Sequence, residues 1–270
     1  MKASNTASKT VAISNVAQTC VVLAGLLLAA APLFAKEIPV VAPDKAGLAA
    51  EKLVAVDEFM AKAVADQKIA GGIIMVARDG KVGFFKTYGQ RDLEAKKPME
   101  PDTIFRIYSM SKSITTAAAL KLVEQGKIGL DDKVSKYIPS FANIRVATPD
   151  GLRLPTRAMT IRDLMRHTAG LTYGDGPDAL KTAYKALKPM ESKDLAEMAE
   201  KLSQVPLAYD PGTSWFYSVS IDVLGRVIEV ASGESLDVHL EKVIFKPLDM
   251  PDTAFNVPAE KLPRFAANYK

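Results

Sequence analysis

The sequence predicts an α+β fold in which a β-hairpin and a helical region are segregated along the chain. Two β-like runs, 72–78 and 81–88, flank an Asp-Gly pair at 79–80, which a tight two-residue turn favours. After this hairpin, residues 109–250 carry mostly helical spacing of apolar residues, broken by turns. Because strands do not alternate with helices, a βαβ fold is not expected.

Capping residues and glycines set the expected helix boundaries. Apolar spacing predicts a helix over 51–67, and an Ala- and Leu-rich helix over 109–125 should stop at Gly126. A capping-box pattern at Thr160 predicts a short helix that ends near Gly170. The remaining expected helices run from Ser192 through Gln204, from Ser218 to Ser232 with Gly233 closing it, and onward from Ser235.

The hairpin alone is too small to make a stable sheet, since two strands leave bare edges and bury little surface. No clear later strand precedes Lys270. We therefore expect residues 36–270 to be the N-terminal portion of a longer domain, with the C-terminal strands outside this sequence.

The first 35 residues have the pattern of a secretory signal peptide. Lys2 and Lys9 form a basic start, an apolar run covers 21–31, and Ala35 precedes the preferred cleavage point. Cleavage predicts a periplasmic or secreted protein without stable membrane contact. An uncleaved anchor is the alternative.

The composition is that of an ordinary globular protein, with 48% hydrophobic and 24% charged residues among 270. A net charge of +4, mixed along the chain, gives no reason to expect nucleic acid as a partner. Cys20, the one cysteine, lies in the signal segment, so the mature chain would hold no disulfide or thiol nucleophile. His167 and His239 lack metal-binding spacing and are expected to be structural, so neither a metal nor a cofactor is predicted.

Ser109 and Lys112 form an S-x-x-K pattern at the head of the predicted 109–125 helix. Three residues is nearly one helical turn, so both side chains should emerge on the same face. A lysine whose pKa is lowered by burial can take the proton from a serine hydroxyl and activate it as a nucleophile. The pair therefore indicates a serine acyl-transfer site. A bare S-x-x-K also arises by chance, so the interpretation depends on its context.

Tyr217 lies between the turn at 211–212 and the helix expected over 218–232, a place from which a side chain can project into a cleft. A nearby Lys112 ammonium would lower the pKa of Tyr217 and let it carry protons between Ser109 and a leaving group. The alternative is a core tyrosine with its hydroxyl at the surface. No G-x-S-x-G occurs, so a nucleophile elbow is not expected.

Four blocks of this sequence carry a resemblance to a known superfamily. They follow the family order and cover most of residues 50–255: 105–115 around the S-x-x-K, 126–132, 160–171 and 211–225. On these blocks the chain resembles the serine β-lactamase and penicillin-binding-protein-like superfamily, specifically class C β-lactamases and family VIII carboxylesterases.

The resemblance implies an α/β region, built on an antiparallel sheet flanked by helices, plus an all-helical region with the active site between them. It implies Ser109 as nucleophile, Lys112 as general base and Tyr217 as proton-relay partner. The implied partner is a small-molecule ester or amide substrate.

The sequence departs from the β-lactamase pattern in two places, and the first of them bears on the substrate. Val219 stands where Tyr-x-Asn has its asparagine, and valine cannot hydrogen-bond to a β-lactam side chain. The second departure is that the third motif, Lys-Thr-Gly or its equivalent, is absent from this sequence. The strand that carries it ordinarily contributes one backbone N–H of the oxyanion hole, so residues 1–270 alone are expected to be poorly active or misfolded. Val219 is the departure that decides between substrates. The resemblance therefore favours a carboxylesterase that forms an acyl-enzyme at Ser109. A β-lactamase or D-Ala-D-Ala carboxypeptidase is one alternative, and a non-catalytic ligand-binding sensor is another.

Overall fold

After one N-terminal helix comes an antiparallel sheet, and a larger helical region follows the sheet. The computed structural model describes residues 38–269, so the predicted signal peptide lies outside the described residues. The sheet contains β1 (Gly71–Arg78), β2 (Lys81–Asp92) and the short β3 (Lys97–Pro98) in that order. Helix α1 (Ala50–Ala65) packs against β2.

The hairpin at β1 and β2 confirms the prediction from the Asp-Gly pair. Arg78 pairs with Lys81, and φ is positive at both intervening residues, 50° at Asp79 and 70° at Gly80. Positive φ at both central residues suits the right-handed twist of the flanking strands, which is why Asp-Gly favours this turn. Strand β3 pairs antiparallel with β2 and was not anticipated.

In the described part of the chain six helices follow the sheet, and short 3₁₀ turns lie before, between and after the helices. Among residues 38–269, no helix is both long and apolar enough to cross a membrane. The six are α2 (Ser111–Glu124), α3 (Ile161–Met165), α4 (Asp178–Leu187), α5 (Leu195–Ser203), α6 (Ser220–Ser232) and α7 (Leu236–Leu240). The 3₁₀ turns are Pro43–Ala46, Tyr108–Met110, Val134–Lys136, Pro139–Asn143, Pro189–Glu191 and Ala259–Arg264, and a π-helical turn, Glu241–Phe245, follows α7.

Helix α6 is the centre of the hydrophobic core. Its Leu224, Val227 and Ile228 are fully buried, and α2, α3 and α5 all pack against it. Each such side chain contributes about 1.5–3 kcal/mol by leaving water. Because this packing fixes α2 against α6, it also fixes the chain segments that immediately precede these two helices.

The capping-box prediction is confirmed, but the helix it opens is shorter than expected. Thr160 Oγ1 accepts from the Asp163 N–H, and Asp163 accepts in return from the Thr160 N–H. Helix α3 ends at Met165 and does not reach Gly170. The reason is His167, whose φ of 56° is incompatible with a continuing right-handed helix.

One helix boundary and two missed elements correct the sequence analysis. Asp194, not Ser192, caps α5 by accepting from the Glu197 N–H at 2.8 Å. Helix α4 was missed. A small hairpin, β4 (Val146–Thr148) and β5 (Gly151–Arg153), interrupts the region predicted to be helical, because its strands are too short to show an alternating pattern.

Asp163 offers a test of this packing. Its buried carboxylate accepts from Arg157 at 2.6 and 2.8 Å and from Thr168 at 3.2 Å. We expect Asp163→Asn to lower the free energy of unfolding by about 2 kcal/mol, since it weakens charge-assisted bonds in a buried place. Urea denaturation of the full-length protein measures this. Asp131→Asn, which weakens the exposed pair with Arg162, is the matched control and should change stability little.

The loss of unfolding free energy in Asp163→Asn should depend on pH, and the pKa of Asp163 gives the direction of that dependence. Burial raises the pKa of Asp163, but Arg157 and Thr160 lower it more, and the pKa ends below its ordinary value. Such a carboxyl contributes stability that is complete above its unfolded pKa and is lost as pH falls through its folded pKa. The stability difference between wild type and Asp163→Asn should therefore shrink below about pH 4. Equal losses in the Asp163 and Asp131 variants would contradict this account.

Candidate active site

Ser109 lies in a tight turn just before α2. The sequence analysis placed it in the helix, but residues Tyr108–Met110 form a 3₁₀ turn and the α-helix begins at Ser111. Tyr108 has a φ of 43°, which costs an aromatic residue about 1–3 kcal/mol. Asn268 donates to the Tyr108 hydroxyl at 2.8 Å and helps to hold the turn. The turn leaves the Ser109 side chain exposed to solvent.

Lys112, in the first turn of α2, points back at Ser109. Its Nζ donates to Ser109 Oγ at 3.3 Å. The three-residue spacing therefore brings the two side chains together, as the sequence predicted. This distance is slightly longer than the roughly 2.6–3.2 Å of direct proton transfer, as is common in ligand-free catalytic sites, where such contacts tighten when substrate binds.

Two tyrosines flank the Lys112 ammonium. Its Nζ lies 4.7 Å from the ring centroid of Tyr217 and 6.0 Å from that of Tyr173. Tyr217 is 38% exposed, so it does not match the core-tyrosine alternative. The structure thus gathers Ser109, Lys112 and Tyr217 at one site and adds Tyr173, which the sequence analysis missed.

The charges of Lys112 and Tyr217 depend on each other. Burial lowers the pKa of Lys112, but interaction with the hydroxyls of Tyr217 and Tyr173 outweighs burial and leaves that pKa above its ordinary value. Lys112, followed by Ser109, lowers the pKa of Tyr217. The second shift has the direction that the sequence analysis expected. Together the two shifts favour an ammonium on Lys112 and make Tyr217 easier to ionise.

A carboxylate also borders the site. Asp222 lies in the first turn of α6, where burial raises its pKa and the charge of Lys112 partly opposes that rise. A cleft of about 430 Å³ opens beside Lys112 and is lined by Tyr108, Asp222 and Phe255 among others. Of the three predicted site residues, Lys112 lines this cleft, whereas Ser109 and Tyr217 are exposed and are not among its lining residues.

Val219 is part of the core instead of the cleft. It is fully buried within the cluster that surrounds α6. A side chain in this place does not meet a substrate. The position that carries asparagine in the β-lactamase pattern is therefore used for packing in this chain.

The two histidines lie in different surroundings. His167 stacks beside Tyr217, with ring centroids 4.8 Å apart. His239 is buried in α7, where its Nδ1 lies 3.0 Å from a Glu234 oxygen. Across residues 38–269, no group of three or more His, Cys, Asp or Glu side chains has a geometry that suits a metal ion.

Comparison with known proteins places this arrangement in a family. The sequence model named Beta-lactamase matches residues 56–270. Esterase EstB of Burkholderia gladioli is 35% identical over 230 residues, which is 84% of this chain and 56% of the relative.

Solved structures give the same assignment. The structure described as "EstCE1, a hydrolase with promiscuous acyltransferase activity" is 34% identical, with a TM-score of 0.70, and is matched over 80% of this chain and 56% of that one. A class C β-lactamase, 22% identical with a TM-score of 0.63 over 80% of this chain and 54% of its own, is similar in fold.

This chain spans about half the length of these relatives. The family match includes the four blocks that carry the resemblance and the segments that hold Ser109, Lys112 and Tyr217. The predicted α+β fold of the β-lactamase and transpeptidase type is confirmed. The chain belongs to the beta-lactamase family, near its esterase members.

Proposed function

We propose that the protein is a serine hydrolase that cleaves carboxylic esters through an acyl-enzyme at Ser109. The observation that carries the proposal is the 3.3 Å contact between Lys112 Nζ and an exposed Ser109 Oγ, beside Tyr217. The similarity to esterase EstB supports an ester as substrate.

In the proposed reaction, Ser109 Oγ attacks the ester carbonyl and gives up its proton to the pair formed by Lys112 and Tyr217. The carbon–oxygen bond to the alcohol then breaks, and the alcohol leaves with that proton. Water attacks the acyl-enzyme, the pair accepts the proton from water, and the acid is released as Ser109 regains its hydrogen. The reaction consumes one water and needs no other co-reactant.

The charges of Lys112 and Tyr217 decide which of these two residues accepts the proton from Ser109. Lys112 is the predicted general base, which requires its neutral amine. The directions of the two pKa shifts favour the other arrangement, in which Lys112 keeps its charge and the Tyr217 phenolate accepts the proton. Both arrangements use the same two residues, and the pH dependence of the Lys112 variant distinguishes them.

A β-lactamase or D-Ala-D-Ala carboxypeptidase is the second candidate, and buried Val219 counts against it. The test compares the full-length protein on a short-chain p-nitrophenyl ester and on a chromogenic cephalosporin. We expect the higher kcat/KM for the ester. A kcat/KM for the cephalosporin equal to or above that for the ester would overturn the esterase proposal in favour of the second candidate.

Restoring the asparagine of the β-lactamase pattern should not restore that activity. Val219 is fully buried and has φ −72° and ψ 12°, which is not the extended conformation of a side-chain helix cap. We expect Val219→Asn to lower the free energy of unfolding by about 1–3 kcal/mol, because it buries an amide in an apolar core. Thermal denaturation and cephalosporin turnover measure the result. A variant of unchanged stability that gains cephalosporin turnover would contradict this interpretation of Val219.

A further inference from the structure

His167 bonds to the main chain on both sides of Tyr217. Its carbonyl oxygen accepts from the Phe216 N–H at 3.0 Å. Its ring Nδ1 accepts from the Ser218 N–H at 3.2 Å. A single residue thus holds both neighbours of Tyr217 by hydrogen bonds.

The same residue contacts the Tyr217 ring. The two rings lie 4.8 Å apart with an angle of 32° between their planes. The rings of Trp215 and His167 meet at a steep angle of 69°, with their centroids 6.3 Å apart. Two main-chain bonds and a ring contact restrict both the backbone and the side chain of Tyr217.

The backbone of His167 is adapted to this place. Its φ of 56° ends α3 and lies in a region that most side chains avoid. The next residue, Thr168, accepts from the Gly212 N–H at 2.7 Å, so two successive residues tie this turn to the segment leading to Tyr217. Backbone strain that the surrounding structure maintains is often found at functional sites.

The ring bond requires a particular form of the imidazole. Nδ1 accepts from a main-chain N–H, so it carries no proton and the hydrogen of the neutral ring is on Nε2. Burial, followed by the charge of Lys112, lowers the pKa of His167 and favours the neutral ring. The Ser218 hydroxyl, 3.3 Å from Nδ1, is itself within 2.7 Å of the Ser220 hydroxyl.

We propose that His167 is a positioning residue for proton transfer: it holds Tyr217 against Lys112 and Ser109 through the Phe216 and Ser218 main chain. This inference rests on the proposed function, because the geometry that His167 maintains matters only if Tyr217 moves protons. The expected consequence is on kcat and not on substrate affinity, since His167 acts through Tyr217.

Two substitutions separate the parts of this role. Asn at position 167 keeps an acceptor at the δ position and tolerates positive φ, whereas Phe keeps the ring and loses the acceptor. We expect His167→Phe to lower kcat for ester hydrolysis about tenfold or more with little change in KM, and His167→Asn to retain more of it. His239→Phe, which alters the buried histidine of α7, is the control and should leave kcat and KM unchanged.

A measurement on the wild type does not depend on activity. ¹⁵N NMR, with the His167 signals identified by their loss in His167→Asn, should show His167 with Nδ1 unprotonated and hydrogen on Nε2 at neutral pH. A hydrogen on Nδ1 would overturn the proposal. So would a folded His167→Phe variant with the kcat of wild type, or equal losses of kcat in the Asn and Phe variants. Absence of ester turnover in the wild type would instead overturn the proposed function, and the NMR result would still test the Nδ1 bond.

Discussion

Ser109→Ala is expected to lower ester turnover by about a thousandfold or more, because it removes the atom that forms the acyl-enzyme. Ser109 is exposed and its hydroxyl supports no packing, so the free energy of unfolding should change by about 0.5 kcal/mol or less. Steady-state kinetics and thermal denaturation of the full-length protein measure the two quantities.

Ser113→Ala is the matched control, since Ser113 is an exposed serine four residues further along, in α2. It should keep the turnover of wild type. Loss of activity in both variants, or in neither, would contradict the assignment of Ser109. A wild type that binds a ligand without turning over any ester, and whose Ser109→Ala variant binds equally well, would support the sensor alternative.

Lys112→Ala should lower the acylation rate by about 10²–10⁴-fold. The variant loses the amine that contacts Ser109 Oγ and the positive charge that lowers the pKa of Tyr217. Lys121→Ala, at an exposed lysine paired with Glu124 on the same helix, is the control and should acylate like wild type. Stopped-flow measurement of the acylation phase gives both rates.

The pH dependence of this variant separates the two proposed arrangements. If the Tyr217 phenolate accepts the proton, the rate rises as pH rises through the pKa of Tyr217, which Lys112 holds below its ordinary value. Loss of Lys112 raises that pKa, so the rise moves to higher pH and part of the activity returns in alkali. If neutral Lys112 is the base, the variant remains slow at every pH. A variant with the rate and pH profile of wild type would contradict both arrangements.

The sequence predicted those structural elements that depend on residues close to one another in the chain. The Asp79-Gly80 turn and the capping box at Thr160 each depend on residues within four positions of one another, and both are found as expected. The end of α3 was missed because positive φ at His167 is imposed by tertiary bonds to the main chain of Phe216 and Ser218. No residue pattern near His167 reports those bonds.

The contacts within the candidate active site are also of two kinds: those between residues close in sequence, which could be predicted, and those between distant residues, which could not. Ser109 and Lys112 meet because they are three residues apart, so their spacing was sufficient to predict the contact. Tyr173 and His167 reach the same place from the chain that follows α3, through packing that the sequence pattern does not record. The resemblance supplied Tyr217, whose own sequence surroundings fit a core tyrosine equally well.

The most direct test of the account is covalent labelling of the full-length protein with a fluorophosphonate serine-hydrolase probe, followed by intact-mass analysis and peptide mapping. The account predicts a single adduct on Ser109 that is absent from Ser109→Ala and forms far more slowly in Lys112→Ala. No adduct on a protein shown to be folded, or an adduct on a different serine, would contradict it.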